Sequence, residues 1–332
     1  MIGTARTTDR STPEIQLLDL IARRAGIGPV VRQSLLSSRS GYQVVGVRTK
    51  SGAYVMRLAR ASRRPDGTLI GSYSRWARLL RQIERLEIAP ICLSNGTVGL
   101  QTARWAYLAC SWIPGKSFEH DRDLAPLTTT LSTLHLGTIG AQLPLTHATD
   151  LKRFIGRQLR RDLLHIRKKS PTANLLRVRS QIALAALRSI PPRAGGPVCL
   201  VHNDLVGRNI VTGGRRVWFI DWEWAMISRP AIDLCCFLSP FVTSWEHEQF
   251  LSCQQVRRFL SRYLSTWSRG EARRIVSGMS RIWQPYNALL ANWTFRESPI
   301  REGRSRSERF FRRAFRAADA ISPVLSGIER NV

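Results

Sequence analysis

The chain has 332 residues, 43% apolar and 22% charged, which is enough length for a sizeable core and an ordinary balance for a globular protein. Its 51 Lys and Arg against 23 Asp and Glu leave a formal charge of +28, which directs attention to anionic partners: nucleic acid, a membrane surface or a phosphate-bearing ligand. No apolar run reaches the ~18 residues of a bilayer span, and the six cysteines form no C-x-x-C pair, which argues against a transmembrane helix, a zinc site or a disulfide framework.

Residues 1–13 contain no apolar stretch of the kind a secretory signal needs and are expected to form a disordered tail. A cytoplasmic location follows, with Cys92, Cys110, Cys199, Cys235, Cys236 and Cys253 as buried free thiols. Residues 14–36 read as a helix and its exit, from the spacing of Ile15, Leu17, Leu18, Leu20 and Ile21. "GYQVVGVRTKSGAYVMRLA" alternates on both sides of Lys50-Ser51-Gly52 and predicts a β-hairpin. Residues 72–87 have helical periodicity, with Trp76, Leu79, Leu80, Ile83 and Leu86 on one face. "VGLQTARWAYLACSWIPG" predicts two more strands ending at Pro114-Gly115.

Beyond about residue 122 the pattern is mostly helical. The fold class expected is therefore α+β, with a small β-rich N-lobe at 14–111 and a larger helical C-lobe at 112–332. The Arg residues are scattered along the chain, which fits solvated helix faces, and no nucleic-acid-reading motif is present, so nucleic acid is not an expected partner. One basic cluster stands out, from Arg296 to Arg316. Residues 301–316 are predicted to form a helix with Phe310, Phe311 and Phe315 roughly on one side, either docked on the lobe or lying against an anionic membrane surface.

The stretch Cys199–Ala225, "CLVHNDLVGRNIVTGGRRVWFIDWEWA", carries the chemistry. Phosphoryl transfer from ATP needs one carboxylate at the attacking hydroxyl, a second carboxylate and an amide oxygen on Mg²⁺, and a cation on the phosphates. Kinase loops place the first carboxylate and the amide five residues apart, with the metal-binding Asp after the next strand. Asp204 and Asn209 have that spacing, and Asp221 follows the apolar run "RVWFI".

"HNDLVGRNIV…FIDWEWAMISRPAIDL" closely resembles the aminoglycoside phosphotransferase and choline kinase superfamily, and within it the branch acting on choline, ethanolamine and thiamine. The likeness runs over roughly residues 30–240. It implies a two-lobed protein-kinase-like fold, ATP and Mg²⁺ as cofactors, and a small-molecule hydroxyl as acceptor. Asp204 would be the catalytic base, Asn209 and Asp221 the Mg²⁺ ligands, and Arg57 in "YVMRLA" the phosphate cation. "YLACSWIPGKSF" resembles the hinge at which adenine meets backbone groups near Cys110 and Trp112. Ser38, Ser40 and Gly41 fall where the phosphate-covering loop is expected. His202 and Asp233 would brace the catalytic loop, and Glu223 would position the metal or the acceptor. Trp283 and Tyr286, three residues apart, resemble the aromatic pair that late helices of choline kinases present to a quaternary ammonium. His135, in "LSTLHL", reads as a core histidine.

Two features depart from the family. The phosphate loop has one glycine, Gly41, and the helix position expected to hold an acid for Arg57 falls at Arg75 or Trp76. These departures keep open a catalytically weak kinase-like module that binds nucleotide or an anionic partner. An aminoglycoside or sugar kinase is the other alternative.

Overall fold

The alternation in "YQVVGVRT" and "GAYVMRLAR" produces the pair from which the first sheet grows. The computed structural model describes residues 14–39, 42–60, 68–100, 103–166, 170–242, 250–297 and 304–332. The chain divides into two units, Met1–Pro114 and Gly115–Val332. The fold is α+β, with the sheet in the N-terminal unit and most of the helix in the C-terminal one.

In the first unit, helix α1 (Ile15–Arg24) precedes strands β1 (Val30–Arg39), β2 (Tyr42–Thr49) and β3 (Gly52–Arg60). Helix α2 (Thr68–Ile83) and strands β4 (Cys92–Leu100) and β5 (Ala103–Ser111) follow. The five strands are antiparallel in the order β1-β2-β3-β5-β4. Leu17, Leu18, Ile21 and Ala22 of α1 close one core with Val45, Val47, Met56, Leu58, Tyr107 and Ala109. The expected hairpin is β2–β3. The helix expected over 72–87 starts earlier, at Thr68, and passes into a single 3-10 turn at Glu84–Leu86. Trp76, Leu79, Leu80 and Ile83 are buried, and Leu86 is half-buried.

The reading of 14–36 as a helix and its exit needs correction. The helix ends at Arg24, Gly26 and Gly28 take left-handed φ of 68° and 78°, and β1 begins at Val30. β1 is an edge strand with Val31 and Leu36 exposed, so it lacks the apolar alternation that marks a buried strand.

The second unit holds seven helices: α3 (His120–Gly137), α4 (Leu151–His165), α5 (Pro171–Ala186), α6 (Ala231–Leu238), α7 (Cys253–Leu264), α8 (Arg269–Glu297) and α9 (Arg304–Asn331), counted among the described residues. Two small sheets accompany them. β7 (Cys199–Val201) pairs with β10 (Met226–Ser228), and β6 (Lys116–Ser117), β8 (Ile210–Gly213) and β9 (Arg216–Phe219) form the other. Every residue of α6 is buried. α8 runs through Pro285 and packs on α4, α5, α6 and α9.

The C-terminal aromatics dock. Phe311 and Phe315 are buried against Phe241, Leu176 and Ala291, with Phe310 packed beside them, while Arg309, Arg312, Arg313 and Arg316 remain exposed. Residues 301–303 of that predicted helix lie outside the described residues, as do residues 1–13. Among the described residues no helix is long and apolar enough to cross a membrane. Five cysteines are buried free thiols, but Cys253 is exposed, because it opens α7 at the surface instead of sitting within an apolar strand or helix.

One close approach sets how the segment leading into β7 meets α8. Gly195 N–H donates to Arg274 O at 3.2 Å, and Gly278, one turn on, lies directly under the Gly195 backbone. A Cβ at Gly278 would collide with Gly195 N and Cα, which are backbone atoms with no rotamer to yield. Gly278→Ala is therefore expected to remove at least ~2 kcal/mol of stability or to leave the protein insoluble. Gly214→Ala, in open space at φ 64°, should cost only ~1 kcal/mol. Thermal unfolding of the two variants checks this, and a Gly278→Ala midpoint equal to wild type would contradict it.

Candidate active site

β7 is three apolar, buried residues, and it delivers the loop His202–Asn209. The first loop amides are held by one carboxylate, Asp233 on α6. Asp233 Oδ2 accepts from His202 N–H at 2.8 Å, and Oδ1 accepts from Asn203 N–H at 2.7 Å. His135 Nε2 contacts Oδ2 at 3.1 Å, and His135 Nδ1 lies 2.7 Å from the Tyr263 hydroxyl. Asp233, His135 and Tyr263 are all at 0% exposure, so these contacts stand in for water around a buried charge. The carboxylate requires the proton on His135 Nε2, which makes Nδ1 the acceptor of the Tyr263 O–H. His135 is thus a core histidine, as its sequence suggests, with both ring nitrogens engaged.

His202 is fixed in a similar way. Its Nδ1 accepts from Asp204 N–H at 3.3 Å, and its Nε2 donates to Ile220 O at 2.9 Å. The imidazole is therefore the neutral Nε2–H tautomer, packed on Trp222 and Phe219 at centroid distances of 4.7 and 5.9 Å.

Asp204 and Asn209 meet as their spacing predicts. Asn209 Nδ2 donates to Asp204 O at 2.9 Å and to Asp204 Oδ2 at 2.8 Å. This fixes the amide and turns its Oδ1 away from Asp204. Ile220 N–H donates to Asn209 O at 2.9 Å, tying the loop to the end of β9, where Asp221 follows. Burial pushes the Asp204 carboxyl up, and the nearby Asp221 charge adds to that, against Arg208 and the Asn209 hydrogen bond. Among the described residues three non-glycine residues have positive φ, and two are here: Asn203 at 61° and Asp221 at 66°. Left-handed backbone at two positions of one short loop system is the local strain that sites retain when the surroundings enforce it.

The donor set fits Mg²⁺. Asn209 and Asp221 offer hard oxygens, and Mg²⁺ takes one or two carboxylates and completes its shell with phosphate and water. Among the described residues no group of three or more His, Cys, Asp or Glu side chains is arranged to hold a metal by itself.

The aromatic pair does not stay together. Trp283 is 1% exposed, and its Nε1–H donates to Ala318 O at 2.8 Å, so it packs in the core under α9. That corrects its assignment to the acceptor, since a ring enclosed by two helices presents no face to a ligand. Tyr286 is also buried, and its hydroxyl donates to Asn203 Oδ1 at 3.1 Å, beside Asp204. The sequence reading passed over Trp224, which is 55% exposed just before buried Ala225. Its carbonyl accepts from Asn203 Nδ2 at 3.3 Å, and half-buried Glu223 precedes it. Two Trp residues flanking a Glu directly after Asp221 was the available signal.

In the first unit, Arg57 is half-buried in the middle of β3, with its guanidinium 5.3 Å from the Trp76 ring centroid. Cys110 is buried opposite Cys92, and the hydrogen bond its thiol donates to Cys92, together with burial, holds that thiol well above the usual range. Trp112 is exposed and donates its N–H to Ala53 O at 3.2 Å. Ser38 is exposed on β1, whereas Ser40 and Gly41 lie outside the described residues.

The profile of the phosphotransferase enzyme family matches residues 33–273. The chain belongs to that family. No curated protein matches the sequence. Among solved structures, amicoumacin kinase hAmiN in complex with AMP-PNP, Ca²⁺ and Ami is similar at 12% identity and TM-score 0.63, covering 93% of this chain and 94% of that one. Spectinomycin phosphotransferase APH(9)-Ia in complex with ADP and spectinomycin is similar at 14% identity and TM-score 0.59, covering 93% and 99%. A choline/ethanolamine kinase family protein from Mesorhizobium loti is similar at 15% identity and TM-score 0.56, covering 90% and 92%. At these identities the likeness establishes the protein-kinase-like fold of this phosphotransferase family.

Asp233→Asn tests the brace. An amide supplies one acceptor where two backbone N–H groups need one each, leaving a buried donor facing a donor. Stability is expected to fall by about 2 kcal/mol, read as a lower urea midpoint at unchanged slope. An unchanged midpoint would contradict the role given to this carboxylate.

Proposed function

We propose that this phosphotransferase is an ATP- and Mg²⁺-dependent kinase of a small-molecule hydroxyl, and that its acceptor is an amine-bearing alcohol. The observation that carries the kinase reading is the pairing of Asp204 with Asn209 at 2.8 Å, on a loop tied to Asp221 through Ile220. Asp204 serves as the base, Asn209 and Asp221 as the Mg²⁺ ligands, and Arg57 as the cation for the phosphates. When bound, Mg²⁺ neutralises charge on the phosphate oxygens.

The acceptor oxygen attacks the γ-phosphorus while its proton passes to the Asp204 carboxylate. The bond from γ-phosphorus to the bridging oxygen breaks, and ADP leaves with that electron pair. A carboxyl raised by burial is a better proton acceptor than one in water, which suits the role. The Asn209 amide occupies Asp204 Oδ2 and thereby directs Oδ1 to the hydroxyl.

Support for an amine-bearing acceptor comes from Trp224 and Glu223. An exposed indole beside a carboxylate, next to the proton-accepting group, suits a cation held over an aromatic face. Choline, ethanolamine, thiamine and aminoglycosides share this chemistry, whereas a neutral sugar lacks it.

The test is ADP release with these compounds and with neutral sugars. An amine-bearing alcohol should be the best acceptor. Asp204→Asn should lower turnover at least ~100-fold while keeping ATP binding. Trp224→Leu should raise the acceptor KM ~3- to 30-fold with the KM for ATP unchanged. A neutral sugar as best acceptor contradicts the acceptor reading, and full turnover by Asp204→Asn contradicts the kinase reading.

A further inference from the structure

Cys92 opens β4, an edge strand of the five-stranded sheet, and stands directly across from Cys110, the last residue but one of β5. Ser111 N–H donates to Ile91 O at 2.9 Å, and Ile91 N–H donates to Ser111 Oγ at 2.9 Å. The backbone hydrogen bond between these flanking residues marks Cys92 and Cys110 as a non-hydrogen-bonded pair, the kind in which facing side chains come closest. Such pairs place their Cα atoms about 4.5 Å apart, inside the ~4.4–6.8 Å over which a disulfide closes. Ala109 belongs to the core under α1, so alternation sends Cys110, with Cys92 opposite, to the other face of the sheet. There the two thiols are hydrogen-bonded to each other. That bond, donated by Cys110, holds the Cys92 thiol below its usual range against burial, and the Arg81 charge adds to it. Cys92 and Cys110 are 7% and 8% exposed, and neighbouring Ile91 is 45% exposed at the sheet edge. Cys199, Cys235 and Cys236, in the second unit, are at 0–1%.

We propose that Cys92 and Cys110 are a modification site at which hydrogen peroxide forms a reversible disulfide between β4 and β5. The site requires neither a nucleotide nor an acceptor. Cys92 is the attacking group, since the thiolate is the nucleophile and Cys92 is the thiol that receives the hydrogen bond. Its Sγ bonds to one peroxide oxygen, the O–O bond breaks, and the departing hydroxide is protonated to water, which leaves Cys92 as a sulfenic acid. Cys110 Sγ then attacks Cys92 Sγ. The S–S bond forms, the S–O bond breaks, and the departing hydroxide takes the Cys110 proton as a second water. Two thiols lose two electrons, and one peroxide gains them. A dithiol reductant returns both thiols by two exchange steps through a mixed disulfide. The paired hydrogen bonds of Ile91 and Ser111 keep the strands in register beside the reacting sulfurs. The link closes at the end of the sheet, one residue before the chain leaves β5.

The test uses the full-length Cys253→Ser protein, which lacks the exposed thiol and keeps five others. The folded protein is treated with hydrogen peroxide, quenched with catalase, unfolded and alkylated with N-ethylmaleimide, and its mass and peptides are read by mass spectrometry. Two of the five thiols are expected to escape alkylation, and the linked peptides should carry Cys92 and Cys110. Dithiothreitol before alkylation should restore all five. Added Cys110→Ser should leave Cys92 as a sulfenic acid that dimedone labels ~10-fold or more above Cys199 or Cys236. Cys110→Ala serves the same arm should the Ser variant not fold. Five alkylated thiols after peroxide, a link between other cysteines, or a Cys92 sulfenic acid that persists beside unmodified Cys110 overturns the inference.

Discussion

The arrangement of the second unit depends on one buried carboxylate. Asp233 lies in a helix whose every residue is buried, where an unsolvated charge is prohibitive unless donors surround it. The donors are the amides of His202 and Asn203 and the imidazole of His135, itself bonded to Tyr263. α3, α6 and α7 therefore converge on the first residues of the His202–Asn209 loop. From there the order passes outward through short contacts: His202 to the Asp204 amide and the Ile220 carbonyl, Asn209 to the Asp204 side chain, Tyr286 to Asn203. The left-handed backbone at Asn203 persists because its N–H, its amide nitrogen and its amide oxygen are each engaged.

Charge is divided between long range and short range. The exposed Arg residues of α9 and the overall +28 would attract an anionic nucleotide and repel a cationic acceptor of the kind proposed. Screening confines that repulsion to about 8 Å at physiological salt, so local groups decide the outcome in the site. Asp204, Asp221 and Glu223 supply negative charge there, and Trp224 supplies an exposed aromatic face. The C-terminal Arg residues belong to the solvent side of a helix whose other side is filled by Phe311 and Phe315. This accounts for a basic segment without requiring a membrane surface.

The meeting of Asp204 with Asn209 was legible in the sequence because its geometry is local: Asp204 and Asn209 are joined by a single turn, and Asp221 by one hairpin. The β2–β3 hairpin was legible because alternation and a turn coincide. β1 was not, since an edge strand bearing Arg32, Ser34, Ser37 and Ser38 buries little and leaves no apolar signature. The pairing of Trp283 with Tyr286 failed for a different reason. Residues three apart share a helix face, but α8 has neighbours on several sides, so Trp283 meets α9 while Tyr286 meets the loop at Asn203. Periodicity reports that a position is covered and says nothing of what covers it.

The most direct measurement of the central claim is a calorimetric titration of ATP into the wild-type protein and Asp221→Ala, each with Mg²⁺ and with EDTA. A site in which Asn209 and Asp221 hold the metal against the phosphates predicts tighter ATP binding with Mg²⁺ in wild type, with that difference lost in Asp221→Ala and the unfolding midpoint preserved. ATP affinity in wild type that is the same with and without the metal, or a metal effect that survives in Asp221→Ala, would contradict the account.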